Sequence, residues 1–226
     1  MKIKHFAIII LFFWGVFFIA KAINIDVRNY FYLGLRKKSH PHDYLRDIQN
    51  GDIIFQTSVS GQSKAIQLAT HSKYSHCGII YKEKGQYYVL EAVQPVKLTP
   101  LETWIARGKD AHCVVKRIKD ADKVINTHVL KKMKAEGNRL IGKNYDFTFE
   151  WSDDTIYCSE LVWKIYKRCA GVELCKVQKL RDFDLSHPVV MEVMKKRYGK
   201  KIPYDETVVS PAALYESDKL TLIDAN

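Results

Sequence analysis

Residues 75–93, SHCGIIYKEKGQYYVLEAV, read as two strands joined by a tight turn. Side chains alternate between the faces of a strand, so the turn decides whether His76 and Glu91 share a face. A two-residue loop at 83–84 places them directly opposite each other, and a loop at 84–85 makes them diagonal neighbours on one face. Glutamate is uncommon in strands, and here it has a use in binding the imidazole and fixing its tautomer. A three-residue loop would break this relation. The alternative for any loop is a rim glutamate near an unrelated histidine.

The strongest helix signal in the chain covers IYCSELVWKIYKRCA at residues 156–170. Its apolar stripe comprises Cys158, Leu161, Val162, Ile165 and Cys169. Cys158 therefore lies on the inward side of the first turn, where the helix dipole favours a thiolate and unpaired amides can bind an oxyanion. A core cysteine would show the same periodicity. Asp153 and Asp154 oppose thiolate formation from just upstream, and the sequence leaves open which effect dominates.

A cysteine at a helix N-terminus, a histidine on a strand and a polar partner for that histidine are the components of thiol catalysis. In this chain they occur in the order His76, Glu91, Cys158. Papain-like enzymes have the cysteine helix first, and the reverse order is that of a circularly permuted form.

Five segments, in order, resemble the permuted papain-like amidases of the YiiX type within the NlpC superfamily. They are NGDIIFQTS (50–58), KYSHCGIIY (73–81), VLEAV (89–93), KNYDFTFEW (143–151) and YCSELVWKIY (157–166). The resemblance implies Cys158 as nucleophile, His76 as base and acid, and Glu91 as the residue that orients the imidazole. It implies supporting positions at Asp52 and Tyr145, a small papain-like fold, and action on an amide or related acyl bond.

The first 22 residues, MKIKHFAIIILFFWGVFFIAKA, have the three parts of a secretory signal peptide. Lysines precede an apolar run at 6–20, and Ala20-Lys21-Ala22 has the small-x-small form of a cleavage site. An uncleaved membrane anchor is the alternative. Both readings export the chain to the periplasm or cell envelope. Residues 23–40 form a polar linker, which leaves 41–226 as the catalytic domain.

The rest of the chain predicts an α+β fold with a mostly antiparallel sheet, because short, hairpin-connected strands alternate with helices. One predicted helix runs from 122 to 141, capped by Asp122 and ended by Gly142. Five cysteines leave at least one thiol unpaired, and Cys169 and Cys175 could bridge. Cys77 follows His76 and faces the other side of its strand, which argues against a metal site shared by the two. No zinc-site spacing, phosphate loop or dinucleotide fingerprint is present, so we expect no metal and no cofactor.

The formal net charge of +11 fits an anionic partner or a solubilising face, and no nucleic-acid-binding motif accompanies it. We therefore expect an exported, monomeric cysteine hydrolase that cleaves a peptide, isopeptide or N-acyl amide of the cell wall or of a lipid. A lipid-acting acyltransferase or (thio)esterase would use the same three residues. A cell-envelope binding module without turnover is the alternative outside enzymes.

Overall fold

The computed structural model describes residue 45 and residues 47–225. Within them, six strands form one sheet in the order β4-β3-β2-β1-β5-β8, and all neighbouring strands run antiparallel. These strands are β1 (Ile53–Ser58), β2 (His76–Glu83), β3 (Gln86–Glu91), β4 (Lys97–Pro100), β5 (Gly108–Ile118) and β8 (Leu220–Ala225). A separate two-stranded sheet joins β6 (Gln178–Lys179) to β7 (Thr207–Val208).

Helices lie between these strands along the chain. They are α1 (Ser63–Thr70), α2 (Leu101–Arg107), α3 (Ala121–Val124), α4 (Thr127–Leu140), α5 (Cys158–Ala170), α6 (Pro188–Tyr198) and α7 (Pro211–Tyr215), with a short 3₁₀ turn at Leu180–Asp182. The predicted combination of helices with an antiparallel sheet is confirmed.

The large sheet has a hydrophobic cluster on each face, because successive strand residues point in opposite directions. On one face Cys77 and Ile79 of β2 belong to the larger cluster, together with Leu161 of α5. On the other face Ile80 of β2 packs in a smaller cluster with Trp104 of α2. Helices α5 and α2 are thus held on opposite sides of the hairpin that carries His76 and Glu91.

The hairpin turn settles the register of the two candidate residues. Glu83 pairs with Gln86, so Lys84 and Gly85 form a two-residue loop, with φ of 48° and 86° respectively. Two successive positive φ angles are the requirement of a type I′ turn. The loop at 84–85 makes His76 and Glu91 diagonal neighbours on one face, which is the second of the two arrangements that the sequence allowed.

Gly78 lies between these two residues on the same face. A Cβ atom there would come within 2.4 Å of Cγ1 of Val89 and 2.7 Å of the carbonyl oxygen of Leu90. The missing side chain therefore lets β3 approach closely enough for Glu91 to reach the imidazole.

The predicted helix over 122–141 is wrong in its first part. Asp122 lies inside the short helix α3, and Ile125 leaves helical geometry with φ −110° and ψ 63°. A second helix, α4, then begins after Asn126, whose side chain accepts a hydrogen bond from Val129 N–H at 3.0 Å. An Asn cap satisfies an amide that the start of the helix leaves unpaired, and this local gain ends the continuous helix.

The predicted signal segment 1–22 and linker 23–40 lie outside the described residues, and the domain boundary at residue 41 stays a prediction. Across residues 45 and 47–225, no helix combines the length and the apolar character needed to cross a bilayer.

Candidate active site

Glu91, the last residue of β3, is a buried carboxylate held by three donors. Its Oε2 lies 2.6 Å from Nε2 of His76 and also accepts from the guanidinium of Arg107. Its Oε1 accepts from the hydroxyl of Thr99 at 2.6 Å. Burial alone would raise the pKa of Glu91, but His76, Arg107 and Thr99 together lower it to about 2. Glu91 is therefore negatively charged at neutral pH, in contact with the imidazole.

His76 is fixed on two sides. Its ring stacks on Trp104 of α2, with centroids 5.8 Å apart and an interplanar angle of 24°. Because Glu91 occupies Nε2, Nδ1 is the ring nitrogen left for the hydrogen bond with Cys158. Burial alone would lower the pKa of His76, but the nearby Cys158 sulfur and the Glu91 carboxylate raise it to about 9. The ring is thus an imidazolium at neutral pH.

Cys158 is the first residue of α5, and the extended backbone of Tyr157 precedes it. Its pKa lies well below the usual value. The largest cause is a hydrogen bond from the thiol of Cys77, which acts against burial, and the imidazolium of His76 adds to it. The backbone N–H of Cys77 contributes as well. The lowered pKa of Cys158 and the raised pKa of His76 both favour a buried thiolate–imidazolium pair, the charge state that thiol catalysis requires.

Cys77 faces away from His76, as strand alternation requires, and the face that it occupies packs against α5. The contact of Cys77 with Cys158 depends on how β2 packs against the start of α5, which no local sequence pattern specifies. The backbone allows it because pairing of β2 with β3 begins only at Ile79 and Leu90. Cys77 thus stands just beyond the end of that ladder.

One of the two acidic residues upstream of Cys158, Asp153, is paired with basic side chains. Asp153 is bound by Arg168 at 2.8 Å and by Lys164 at 2.9 Å. Arg168, and then Lys164, hold the pKa of Asp153 below its ordinary value. Its negative charge is compensated locally, so it opposes a thiolate at Cys158 less than an unpaired carboxylate would.

Tyr145 joins the cluster from the loop before α5. Its backbone forms a parallel bridge with Ile156, two residues ahead of Cys158. Its side chain is 8% exposed, and its hydroxyl accepts a hydrogen bond from Nε2 of Gln62 at 2.9 Å. Of the two supporting positions implied by the resemblance, Tyr145 therefore lies at the site.

Asp52 lies elsewhere. It precedes β1, and its carboxylate binds Arg117 at 2.6 Å and 2.8 Å and the backbone N–H of Gln49 at 2.8 Å. The β1 residue that pairs with His76 is Gln56, four positions further along the strand. Asp52 thus links the turn before β1 to β5 and does not contact the Cys158–His76 pair.

Two cavities of different character meet at the cluster. One, of about 80 Å³, is lined almost wholly by apolar groups and includes Cys158. The other, of about 320 Å³, is more polar and includes His76 and Arg107. Gln62 and Tyr145 line both, so these two side chains stand between the cavities. Cys158 thus faces an apolar chamber, whereas His76 faces the larger chamber with the more polar lining, called the polar chamber below.

A family model described as "Permuted papain-like amidase enzyme, YaeF/YiiX, C92 family" matches residues 47–224. The chain belongs to this family. The uncharacterised protein YiiX of Escherichia coli K12 is 50% identical over 175 residues, which cover 77% of this chain and 85% of that protein. A crystal structure of yiiX from E. coli O157:H7, described as a metalloprotein, is 49% identical and superposes with a TM-score of 0.75. That match covers 79% of this chain and 97% of the other.

Family membership makes the chain a papain-like cysteine hydrolase of amide bonds and confirms the permuted papain-like fold. In the part of this chain that the structure describes, no group of three or more His, Cys, Asp or Glu side chains is close enough to hold a metal ion. Cys169 and Cys175, the pair that could have bridged, are free thiols.

Several residues of the site were not identified from the sequence. They are Cys77, Thr99, Trp104, Arg107, Gln62 and Arg197. Each reaches the cluster from an element whose place in space no periodicity specifies.

Proposed function

We propose that this protein is an exported cysteine amidase in which Cys158 is the nucleophile, His76 the acid and base, and Glu91 the residue that orients and stabilises the imidazolium. One observation carries the proposal. Cys158 contacts one side of His76 at the start of a helix, while the other ring nitrogen is bound to a buried carboxylate at 2.6 Å. Those positions match the roles that acyl transfer to a thiol requires.

In the first half of the reaction, the Cys158 sulfur attacks the substrate carbonyl carbon and forms a tetrahedral oxyanion adduct, which becomes a thioester when the amine is expelled. The backbone N–H of Cys158 at the start of α5, which has no partner among the described residues, stabilises the negative oxygen, and Tyr145 lines the same chamber as the sulfur. His76 gives its proton to the leaving amine as the carbon–nitrogen bond breaks. In the second half, His76 takes a proton from water, which attacks the thioester and releases the acid together with the thiolate.

The two cavities support an N-acyl or lipid-linked amide as the substrate. The apolar chamber beside Cys158 suits an acyl chain, and the polar chamber beside His76 suits the amine that leaves. The apolar chamber holds about 80 Å³. A single water needs about 10–15 Å³ by this kind of measure, so the space accommodates several methylene groups. Cell-wall peptides, whose groups beside the scissile bond are more polar, fit this chamber less well.

Transfer of the acyl group to an acceptor other than water would use the same residues, and the apolar chamber serves an ester or thioester equally well. A binding module without turnover does not call for a thiol with a depressed pKa. Export is supported by the signal pattern of residues 1–22, and the run at 6–20 would associate the protein with the membrane wherever that segment is retained.

The test uses the mature chain and the Cys158→Ala variant against three substrate sets: N-acyl-4-nitroanilides of two to twelve carbons, muropeptides, and phospholipids. We expect cleavage of the anilides with a preference for medium chains and no turnover by Cys158→Ala, which removes only one small side chain. Wild-type rates in Cys158→Ala would refute the nucleophile assignment. Cleavage of muropeptides alone would retain the amidase and reject the acyl substrate, and a dominant phospholipid activity would favour the acyltransferase or esterase.

A further inference from the structure

Gln62 and Arg197 form a chain of hydrogen bonds that ends on the Tyr145 hydroxyl. The guanidinium of Arg197, on α6, donates to Oε1 of Gln62. Nε2 of Gln62 donates to the Tyr145 hydroxyl at 2.9 Å. The guanidinium also lies over the ring of Phe149, with Cζ 4.6 Å from the centroid, so it is held on two sides.

This chain has a direction. Arginine only donates hydrogen bonds, so the Gln62 oxygen must face Arg197 and its NH₂ group must face Tyr145. The tyrosine oxygen therefore accepts from Gln62, and its own proton has to point elsewhere. Among the hydrogen bonds between described residues, the Tyr145 hydroxyl occurs only as this acceptor.

The position of Tyr145 indicates where that proton points. The backbone bridge to Ile156 puts Tyr145 beside the start of α5, and its side chain lines both the chamber of Cys158 and that of His76. The negative charge of Cys158 also acts on the tyrosine and is one of the causes that raise its pKa, after burial. The Tyr145 side chain thus borders the chamber in which the proposed amidase reaction develops an oxyanion.

We propose that Gln62, locked in orientation by Arg197, is a positioning residue that directs the Tyr145 O–H toward the oxyanion of the acyl adduct. The inference rests on the proposed function, since it requires acyl transfer to Cys158. Under this proposal, the amide of Gln62 is necessary for the full rate of Cys158 acylation, although Gln62 touches no reacting atom. Preorganised donors at an oxyanion act because they need no reorientation during the reaction.

The most informative variant is Gln62→Glu. A carboxylate keeps the size of the side chain and forms an ion pair with Arg197, so the fold is retained. It cannot donate, however, and it accepts the Tyr145 proton, which turns that proton away from the site. Gln67→Glu is the matched control, because it makes the same chemical change on α1, where Gln67 donates to Ser63 at 2.9 Å.

The measured quantity is the rate of Cys158 acylation by 4-nitrophenyl octanoate, followed as a burst of 4-nitrophenolate. The same proteins are alkylated with iodoacetamide, a reaction that uses the thiolate but forms no oxyanion. Loss of one oxyanion donor lowers rates by about 10²–10³-fold. We expect Gln62→Glu and Tyr145→Phe each to slow acylation on the order of a hundredfold, with alkylation within twofold of wild type. Gln67→Glu should leave both rates within twofold.

The double variant Gln62→Glu/Tyr145→Phe should be no slower than Tyr145→Phe, since Gln62 acts through the tyrosine. A double variant slowed by the product of the two single effects would overturn the inference. So would a wild-type acylation rate in Gln62→Glu, or an alkylation rate in Gln62→Glu that falls as far as its acylation rate. If wild-type Cys158 formed no acyl adduct, as shown by intact mass, the proposed function itself would fail. A slow Gln62→Glu next to an active wild type is therefore the result that supports both.

Discussion

Replacing Glu91 by glutamine tests how far the buried carboxylate stabilises the ion pair. The pKa of His76 is raised from 6.5 to about 9, which corresponds to about 3 kcal/mol in favour of the imidazolium. Cys158 supplies the larger favourable part of this shift, and Glu91 the smaller. Glu91→Gln keeps the volume and a hydrogen-bonding group but removes the charge. We expect hydrolysis to fall about ten- to a thousandfold, or about 1.4–4 kcal/mol, and less than in His76→Ala.

The assay is the pH dependence of kcat/KM for an N-acyl-4-nitroanilide. In the wild type, activity should fall as pH rises through about 9, where His76 loses the proton that it gives to the leaving amine. Because a carboxylate favours the protonated ring, Glu91→Gln should move this alkaline limb to lower pH. Thr99→Val is the matched control, since it removes a donor to the oxygen that does not touch His76, and it should shift the limb less.

An unchanged alkaline limb together with full activity in Glu91→Gln would refute the reasoning. Far-UV circular dichroism and thermal unfolding of each variant establish that the fold is present. Lost activity in Glu91→Gln with a well-folded protein and an unmoved limb would mean that the carboxylate positions the ring without stabilising its charge.

Three further predictions concern the thiol and the N-terminus. Cys77→Ala should raise the apparent pKa of Cys158 in the pH profile of iodoacetamide alkylation, because the main donor to the sulfur is lost. The control Cys113→Ala, on β5, should not change this pKa. Equal pH profiles for Cys77→Ala and the wild type would exclude the contact between Cys77 and Cys158. His76→Ala should also raise that pKa, and an unchanged value would mean that the helix start and Cys77 alone activate the thiol. Intact-mass measurement on envelope material should show a chain lacking residues 1–22, and a mass that includes them would favour the anchor.

Local rules predicted much of the candidate site. Strand alternation placed His76 and Glu91 on one face for either two-residue loop, and helix periodicity placed Cys158 inward. The choice between the loops was also encoded locally, since Gly85 readily takes the positive φ that the second turn position needs. A loop at 83–84 would have required that conformation of Glu83 and Lys84, neither of which is glycine.

Contacts between distant elements could not be predicted in the same way. Trp104 reaches His76 from α2, and Cys77 reaches Cys158 across the sheet–helix interface, so both depend on how whole elements pack. The error over 122–141 has a different cause. The residues around Asn126 suit a helix, so the sequence pattern did not mark Asn126 as a boundary. Its side chain nevertheless caps a new helix that begins at Thr127.

The partition formed by Gln62 and Tyr145 bears on the fate of the acylated protein. In the proposed reaction, departure of the amine would leave the acyl group on Cys158 in the apolar chamber and would vacate the polar chamber beside His76. Whatever enters next from that side competes for the thioester: water gives hydrolysis, and a second amine or alcohol gives exchange. The ratio of the two products would then depend on the concentration of acceptor and on the lining of the polar chamber, not on the chain length of the acyl group. One set of catalytic residues could in this way yield an acid in dilute solution and a new amide or ester at an acceptor-rich surface.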